Sequence, residues 1–232
     1  MSPTKVERMN AIGMFADFSV RKARKAQVWL AEKVITDDIL PKTISSIAGV
    51  DAAYFEEWAF GAVAVLDYGS LEVLESQVIT MRVMFPYVPT LLSFRELPVL
   101  ASCIRRLKLQ PDVFLVDGHG VAHPYGCGLA CHLGVALSKP TVGIAKNRLI
   151  GEETKVGNDL FLRANGQVVA AVVQSVKGAR PLYVSIGHMI SLETSVNLVR
   201  HCIRSSRVPE PIRAAHLLAL EERKTKMAAL HN

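Results

Sequence analysis

Pro111-Asp-Val-Phe-Leu-Val-Asp117 runs straight into Gly118-His-Gly120. An unbroken apolar run between a proline and a carboxylate reads as a short strand buried on both faces, and such strands belong to parallel sheets covered by helices. Chemistry in sheets of that kind gathers where the parallel strands end, which singles out Asp117. Outward from it, Gly126 to Leu137 reads as a small-residue helix and Thr141-Val-Gly-Ile-Ala145 as a second buried strand closed by Lys146. Upstream, Leu91 to Leu109 has helical spacing through Leu92, Leu97, Leu100, Ile104 and Leu107, with Pro98 marking the start of the regular helix. Three Val- and Ile-rich stretches precede it, Ile44 to Phe55, Ala59 to Asp67 and Leu71 to Met84, broken at Glu56-Glu57 and Tyr68-Gly69. They read as a meander. Val168 to Val176 and Leu182 to Ile186 are further strands, and Ser191 to Ser206 is a helix. Ile212 onward is a C-terminal helix of mixed charge, and residues 15–36 form an amphipathic helix ending before Pro41. The order predicts an α/β fold: a mixed β-sheet that begins as an antiparallel meander, continues into parallel strands and is flanked by helices. No repeat or linker divides residues 1–232, so a single domain is expected, its core over about 44–216.

Composition narrows the setting. Half of the 232 residues are apolar and 21% are charged, enough to bury a sizeable core and too apolar for wholesale disorder. Apolar runs such as Gly61 to Leu66 are of strand length, far below the roughly 20 residues of a membrane span. Met1 to Arg8 carries no apolar segment followed by a cleavage site, so a cytoplasmic chain is expected. Lys and Arg number 27 against 21 Asp and Glu, a net charge of +6, the sign expected of a chain that meets phosphates. Four cysteines are too few for a disulfide scaffold and are expected to be reduced. Cys127-x-x-x-Cys131-His132 has a metal-like spacing but no second pair, so buried thiols on a small-residue helix are the better reading.

The acidic residues are more informative. Asp51 interrupts Ile47-Ala-Gly-Val-Asp-Ala-Ala53, where a carboxylate faces a large desolvation cost unless it is paired or binds a cation. Glu96 lies beside Leu97 and one turn after Leu92, at the border of its helix's buried face. Taken singly, each acid is also at home on a surface or in a salt bridge. Together, Asp51, Glu96 and Asp117 would make an oxygen-rich site for a hard divalent ion such as Mg²⁺. A basic surface attracts a phosphate backbone, and a central acid cluster can hold Mg²⁺ against one scissile phosphate. Lys146 would add a fixed positive charge there, or else point to solvent as an ordinary strand-end lysine.

Two loops carry further signals. Pro86-Tyr-Val-Pro89 brackets an aromatic between prolines, a stiff wedge suited to parting bases, although an ordinary strand-to-helix turn has the same composition. Gly118 to Gly128 packs four glycines with His119 and His123, which lets backbone groups approach a ligand closely. Either histidine could orient a carboxylate or a phosphate.

These stretches, taken in order, resemble endonuclease V, the deoxyinosine-directed nuclease of the ribonuclease H-like superfamily. The resemblance rests on Gly49-Val-Asp-Ala-Ala-Tyr54, Phe85-Pro-Tyr-Val-Pro89, Leu92-Ser-Phe-Arg-Glu-Leu-Pro98, Val116-Asp-Gly-His-Gly-Val-Ala-His-Pro124, Gly143-Ile-Ala-Lys146 and Val184-Ser-Ile-Gly-His-Met-Ile-Ser191. It implies that Asp51, Glu96 and Asp117 are metal-binding carboxylates. It also implies that His216 is a C-terminal catalytic residue, where spacing alone shows only a helix residue. Pro86, Tyr87, Val88 and Pro89 would form the strand-separating wedge, and Lys146 and His123 would lie near the scissile phosphate. Leu92, Gly118 and Gly128 would border a pocket for a flipped hypoxanthine. The implied reaction is Mg²⁺-dependent hydrolysis, with Mn²⁺ as a substitute, of the second phosphodiester bond 3′ to inosine, leaving a 3′-hydroxyl and a 5′-phosphate. The implied partner is inosine-containing DNA, or RNA in an alternative reading, bound by a monomer with no membrane. A non-catalytic nucleic-acid-binding module and a junction or hybrid nuclease are the competing readings. Two positions depart from the family: Thr90 stands where many members carry Gly. Tyr125 stands where an Arg often follows His-Pro, so a phosphate contact is lost or replaced by stacking.

Overall fold

The meander forms from three ten-residue strands, β1 (Ser46–Phe55), β2 (Trp58–Asp67) and β3 (Val73–Arg82). This computed structural model describes residues 19 to 230. Met1 to Arg8 and the first residues of the expected N-terminal helix, Phe15 and Phe18 among them, lie outside the described residues. The helix itself is α1 (Val20–Ala31), begun by the Ser19 hydroxyl, which accepts from the Lys22 amide at 3.3 Å. The other helices are α2 (Leu92–Ile104), α3 (Leu129–Leu137), α4 (Leu192–Cys202) and α5 (Glu210–Leu230). Pro98 falls inside α2, not at its start. Burial of Ser93, Glu96, Val99 and Leu100 holds that first turn helical despite the proline's missing N–H.

Among the described residues the strands form one nine-stranded sheet of order β3-β2-β1-β4-β5-β9-β8-β7-β6. Here β4 is Val113–Asp117, β5 Thr141–Ala145, β6 Glu152–Val156, β7 Asp159–Ala164, β8 Gln167–Val173 and β9 Leu182–His188. The antiparallel meander passes into parallel strands as expected, with β1 parallel to β4 and β4 parallel to β5. It does not finish parallel. β9 runs antiparallel to both β5 and β8, and β6 to β8 form an antiparallel extension. β6, short, charged and mostly exposed, and β7, whose Leu160-Phe-Leu162 lies between Asp159 and Arg163, are additional to the strands expected from the sequence. Asn165-Gly166, both at positive φ (50° and 77°), supply the tight turn between β7 and β8.

Strand alternation sorts the core into two layers. Ile47 and Ala53, Val113 and Leu115, and Val142 and Ile144 face one side, packed with Val199 of α4 and Ile212, Ala215 and Ala219 of α5. Ala48, Val50, Phe114 and Val116 face the other, against Val99, Leu100 and Ile104 of α2 and Leu129, Ala130 and Leu133 of α3. All four cysteines are buried and free. No helix among the described residues is long and apolar enough to cross a membrane.

Candidate active site

The parallel ladder ends at Val50 opposite Val116, so the next residues, Asp51 and Asp117, are neighbours at the strand ends. Each is two positions beyond a residue of the α5-side layer, Gly49 and Leu115, and therefore shares that face. α5 reaches them because residue 49 has no side chain. A Cβ there would lie 2.0 Å from the Pro211 backbone carbonyl carbon and oxygen. That close approach brings His216, one and a half turns along α5, over the strand. His216 Nδ1 lies 2.6 Å from Asp51 Oδ2. A carboxylate only accepts, so Nδ1 carries the proton in this contact. Lys146, just past β5, donates to Asp117 Oδ2, and its main-chain carbonyl is held by Arg207 at 2.8 Å. From the opposite layer α2 contributes Glu96, which is buried.

Three carboxyls in little water repel one another. Burial, then the negative charges of Asp51 and Asp117, push the Glu96 carboxyl up to about 8. Asp51 is also raised, by burial first and by Asp117 second, against hydrogen bonds from His216 and the Ala52 amide that lower it. One ligand atom each from Asp51, Asp117 and His216 lie within 4.8 Å of one another. Two hard oxygens and an imidazole, in a place where added negative charge is strained, suit a divalent cation. Lys146 supplies one positive charge to that cluster.

A cleft of about 230 Å³ opens beside these acids, its walls including Glu96, Asp117, Gly118, His119, His123 and Gly128. The glycine loop is threaded tightly, since a Cβ at Gly128 would meet the His119 carbonyl oxygen at 2.3 Å. His119 Nε2 contacts the Asn147 carbonyl at 3.0 Å, tying the loop to the segment after Lys146. Burial first, then the His119 and Arg24 charges, push His123 down to about 4. The far wall is Tyr87, Val88, Pro89 and Thr90 together with Leu92. Thr90 is at φ 65°, a left-handed conformation that strains a β-branched residue by about 1–3 kcal/mol.

The sequence matches the family described as Endonuclease V over residues 29–217. The endonuclease V of Thermofilum pendens is 45% identical over 208 residues, 88% of each chain. This chain belongs to the endonuclease V family. It is accordingly a nuclease acting on phosphodiester bonds. The crystal structure of endonuclease V from Streptomyces avermitilis has a TM-score of 0.84 at 33% identity, covering 90% of this chain and 95% of that one. Ciona intestinalis endonuclease V, solved with a 23mer DNA containing an inosine followed by a ribo-adenosine, has a TM-score of 0.81 at 30% identity, with coverage of 89% and 97%.

As an endonuclease V, the chain gathers most of the residues singled out by sequence. Asp51, Asp117, His216 and Lys146 meet at the strand ends, with Glu96 close enough to feel both aspartates. Tyr87, Val88, Pro89, Leu92, Gly118, His123 and Gly128 line the cleft. Pro86 is buried beneath the loop, which leaves residues 87–89 as its surface, with Tyr87 60% exposed. The amides of Gly118 and Gly128 are bonded to the Ile144 and Gly120 carbonyls, so neither glycine serves the cleft as a donor. His123, held neutral, offers a phosphate no charge. Tyr125 does stack, but on the guanidinium of Arg24, 4.2 Å from the ring centroid. Cys127 and Cys131 are buried thiols, and the neighbouring His132 Nδ1 pairs with the Ser93 hydroxyl at 3.1 Å, so that spacing holds no ligand cluster. Arg24, Gln27, Arg95 and Arg207 support the site and carry no signal in the sequence, because their partners are backbone carbonyls of distant segments.

Proposed function

We propose that this endonuclease V is a Mg²⁺-dependent enzyme, with Mn²⁺ as a substitute, that binds inosine in a nucleic-acid strand and hydrolyses the second phosphodiester bond on its 3′ side. The products would be a 3′-hydroxyl and a 5′-phosphate, as nucleic-acid repair requires. The observation that carries this reading is a cleft lined by Glu96 and by Asp117 of the Asp51–Asp117–His216 cluster, with an exposed proline-bracketed aromatic on its rim. A bound divalent ion supplies charge neutralisation at the scissile phosphate and lowers the pKa of a water nucleophile.

The chain's own residues do the rest. Asp51, Asp117 and His216 would hold the ion, and Glu96 on α2 would be a further ligand. Glu96, raised to about 8 by burial and the two aspartates, would have to be deprotonated to serve as a ligand, so metal affinity should rise with pH. Lys146 stays beside Asp117 as a fixed cation toward the phosphate. Tyr87 and Val88 part the strands so that the base can enter the cleft. Hypoxanthine carries a carbonyl where adenine carries an amine. The Ala130 and His132 amides are already spent on the His119 and Gly128 carbonyls, so the Leu129 amide, where α3 starts on the cleft wall, would be the donor that favours the carbonyl, by about 1–3 kcal/mol for a wrong contact. All four acid-centre residues come from one chain, so a monomer suffices, and four reduced, buried thiols suit the cytoplasm.

The test is a nicking assay on 5′-labelled duplexes and single strands bearing one deoxyinosine or one inosine, with Mg²⁺ or chelator. Metal-dependent cleavage one nucleotide beyond the lesion is expected, and the two sugars rank DNA against RNA. Cleavage indifferent to inosine would overturn the reading in favour of a general nuclease, and tight lesion binding without cleavage would make it a binding module.

A further inference from the structure

We infer that α1 positions the wedge: Arg24 and Gln27 hold residues 89–90 in the shape that presents Tyr87 and Val88, and so set the enzyme's ability to work on paired strands. This rests on the wedge reading proposed above. Arg24 Nη2 donates to the Pro89 carbonyl at 3.0 Å and to the Thr90 hydroxyl, while Nη1 donates to the Thr90 carbonyl at 3.1 Å. Gln27, buried at 1% exposure, spans the cleft walls. Its amide nitrogen donates to the Thr90 carbonyl at 2.9 Å and to the Cys127 carbonyl, next to Gly128, at 2.8 Å. Its oxygen accepts from Arg24 at 2.8 Å. Every polar atom of the Gln27 side chain is thereby used, and Tyr125 covers the guanidinium from outside.

The two departures from the family pattern thus meet in one contact. Thr90 takes a left-handed conformation that residues other than glycine avoid, and Arg24 grips both its carbonyl and its hydroxyl. Tyr125 supplies a face on which the planar guanidinium rests. The opposite end of the wedge is held separately, by Arg95 Nη1 donating to the Phe85 carbonyl at 2.9 Å. Between those clasps the rim residues are exposed. A single strand needs no parting, whereas a duplex does, so a loosened wedge affects the two substrates unequally.

Arg24→Ala should lower kcat/KM on an inosine-bearing duplex about tenfold while changing it less than about twofold on the matching single strand. Arg24→Lys, a point charge without the planar fork, should fall between wild type and Arg24→Ala on the duplex. It carries the test if the alanine variant does not fold. Amide hydrogen exchange across residues 85–91 should quicken in either variant while β1 and β4 keep their protection, a readout independent of cleavage. Equal losses on both substrates, an unchanged duplex rate, or unchanged exchange across 85–91 would each overturn the inference. Wild-type protein that ignores inosine while the variants still loosen residues 85–91 would sink the proposed activity and leave the positioning role standing.

Discussion

The acid cluster and the rim loop of the neighbouring cleft are built in opposite ways. On one side, Asp51 and Asp117 sit on adjacent parallel strands, and α5 is pressed so close that a Cβ at Gly49 would lie 2.0 Å from Pro211. On the other side, residues 85–90 are irregular and partly exposed, held at one end by Arg24 from α1 and at the other by Arg95 from α2. Charge explains the difference. Mutually repelling carboxylates stay together only on a scaffold that cannot relax, and a regular buried sheet is such a scaffold. A rim that must meet a polymer of variable sequence needs only a defined shape, which a few hydrogen bonds to backbone carbonyls can give.

The comparison breaks most visibly at the acids. Asp51→Asn or Asp117→Asn keeps the shape and removes charge, and should cut the cleavage rate on the order of 10³-fold or more, read by single-turnover kinetics. Thermal unfolding of the metal-free variants should show no loss of Tm, because repulsion is relieved. A smaller but purely structural effect is expected at Gly49→Ala. The added methyl must push α5 off β1, costing about 1–3 kcal/mol, or roughly 3–10 °C in Tm, and shifting His216 from Asp51. Gly69→Ala is the control, since its Cβ would meet only Asp67 Oδ1, at 3.4 Å. Unequal Tm values for these two variants would confirm that the acid wall depends on helix approach; equal values would refute it.

A pH profile sharpens the electrostatic half. Glu96 is raised from 4.5 to about 8, so the folded chain keeps a proton there that the unfolded chain releases near 4.5. Metal-free stability should therefore fall as pH rises from about 4.5 to about 8, and then level off. Asp51, also raised, adds to the same slope. Glu96→Gln should flatten the profile, and a divalent ion should raise Tm more at the alkaline end than at the acid end. Calorimetry across that range, with chelator and with Mg²⁺, measures both.

The same contrast explains what could be read from the sequence. Asp51 and Asp117 announce themselves because a carboxylate inside an apolar run is locally anomalous. His216 is not anomalous in its own helix, and only its likeness to the family marked it, because what places it is a missing side chain 167 positions earlier at Gly49. Strand β6 has no apolar run and β7 only the short Leu160-Phe-Leu162, yet Asn165-Gly166 is a usable hairpin signal. Propensity alone puts Pro98 at the start of regular helix; burial of its neighbours outweighs that preference and places it inside. Arg24 and Gln27 were illegible for a simpler reason: a side chain that bonds distant carbonyls leaves no local pattern.

His216 and Asp51 are 165 residues apart, and this separation has a bearing on biosynthesis. Chains emerge at about 5–20 residues per second, so β1 is exposed for several seconds or more before α5 exists to dock on it. During that interval the acids have no histidine above them and Gly49 lies uncovered. A chain broken off before residue 216, by stalled synthesis or by a protease, cannot assemble the cluster. On the proposed assignment of His216, nuclease activity would therefore appear only once α5 has been made and packed.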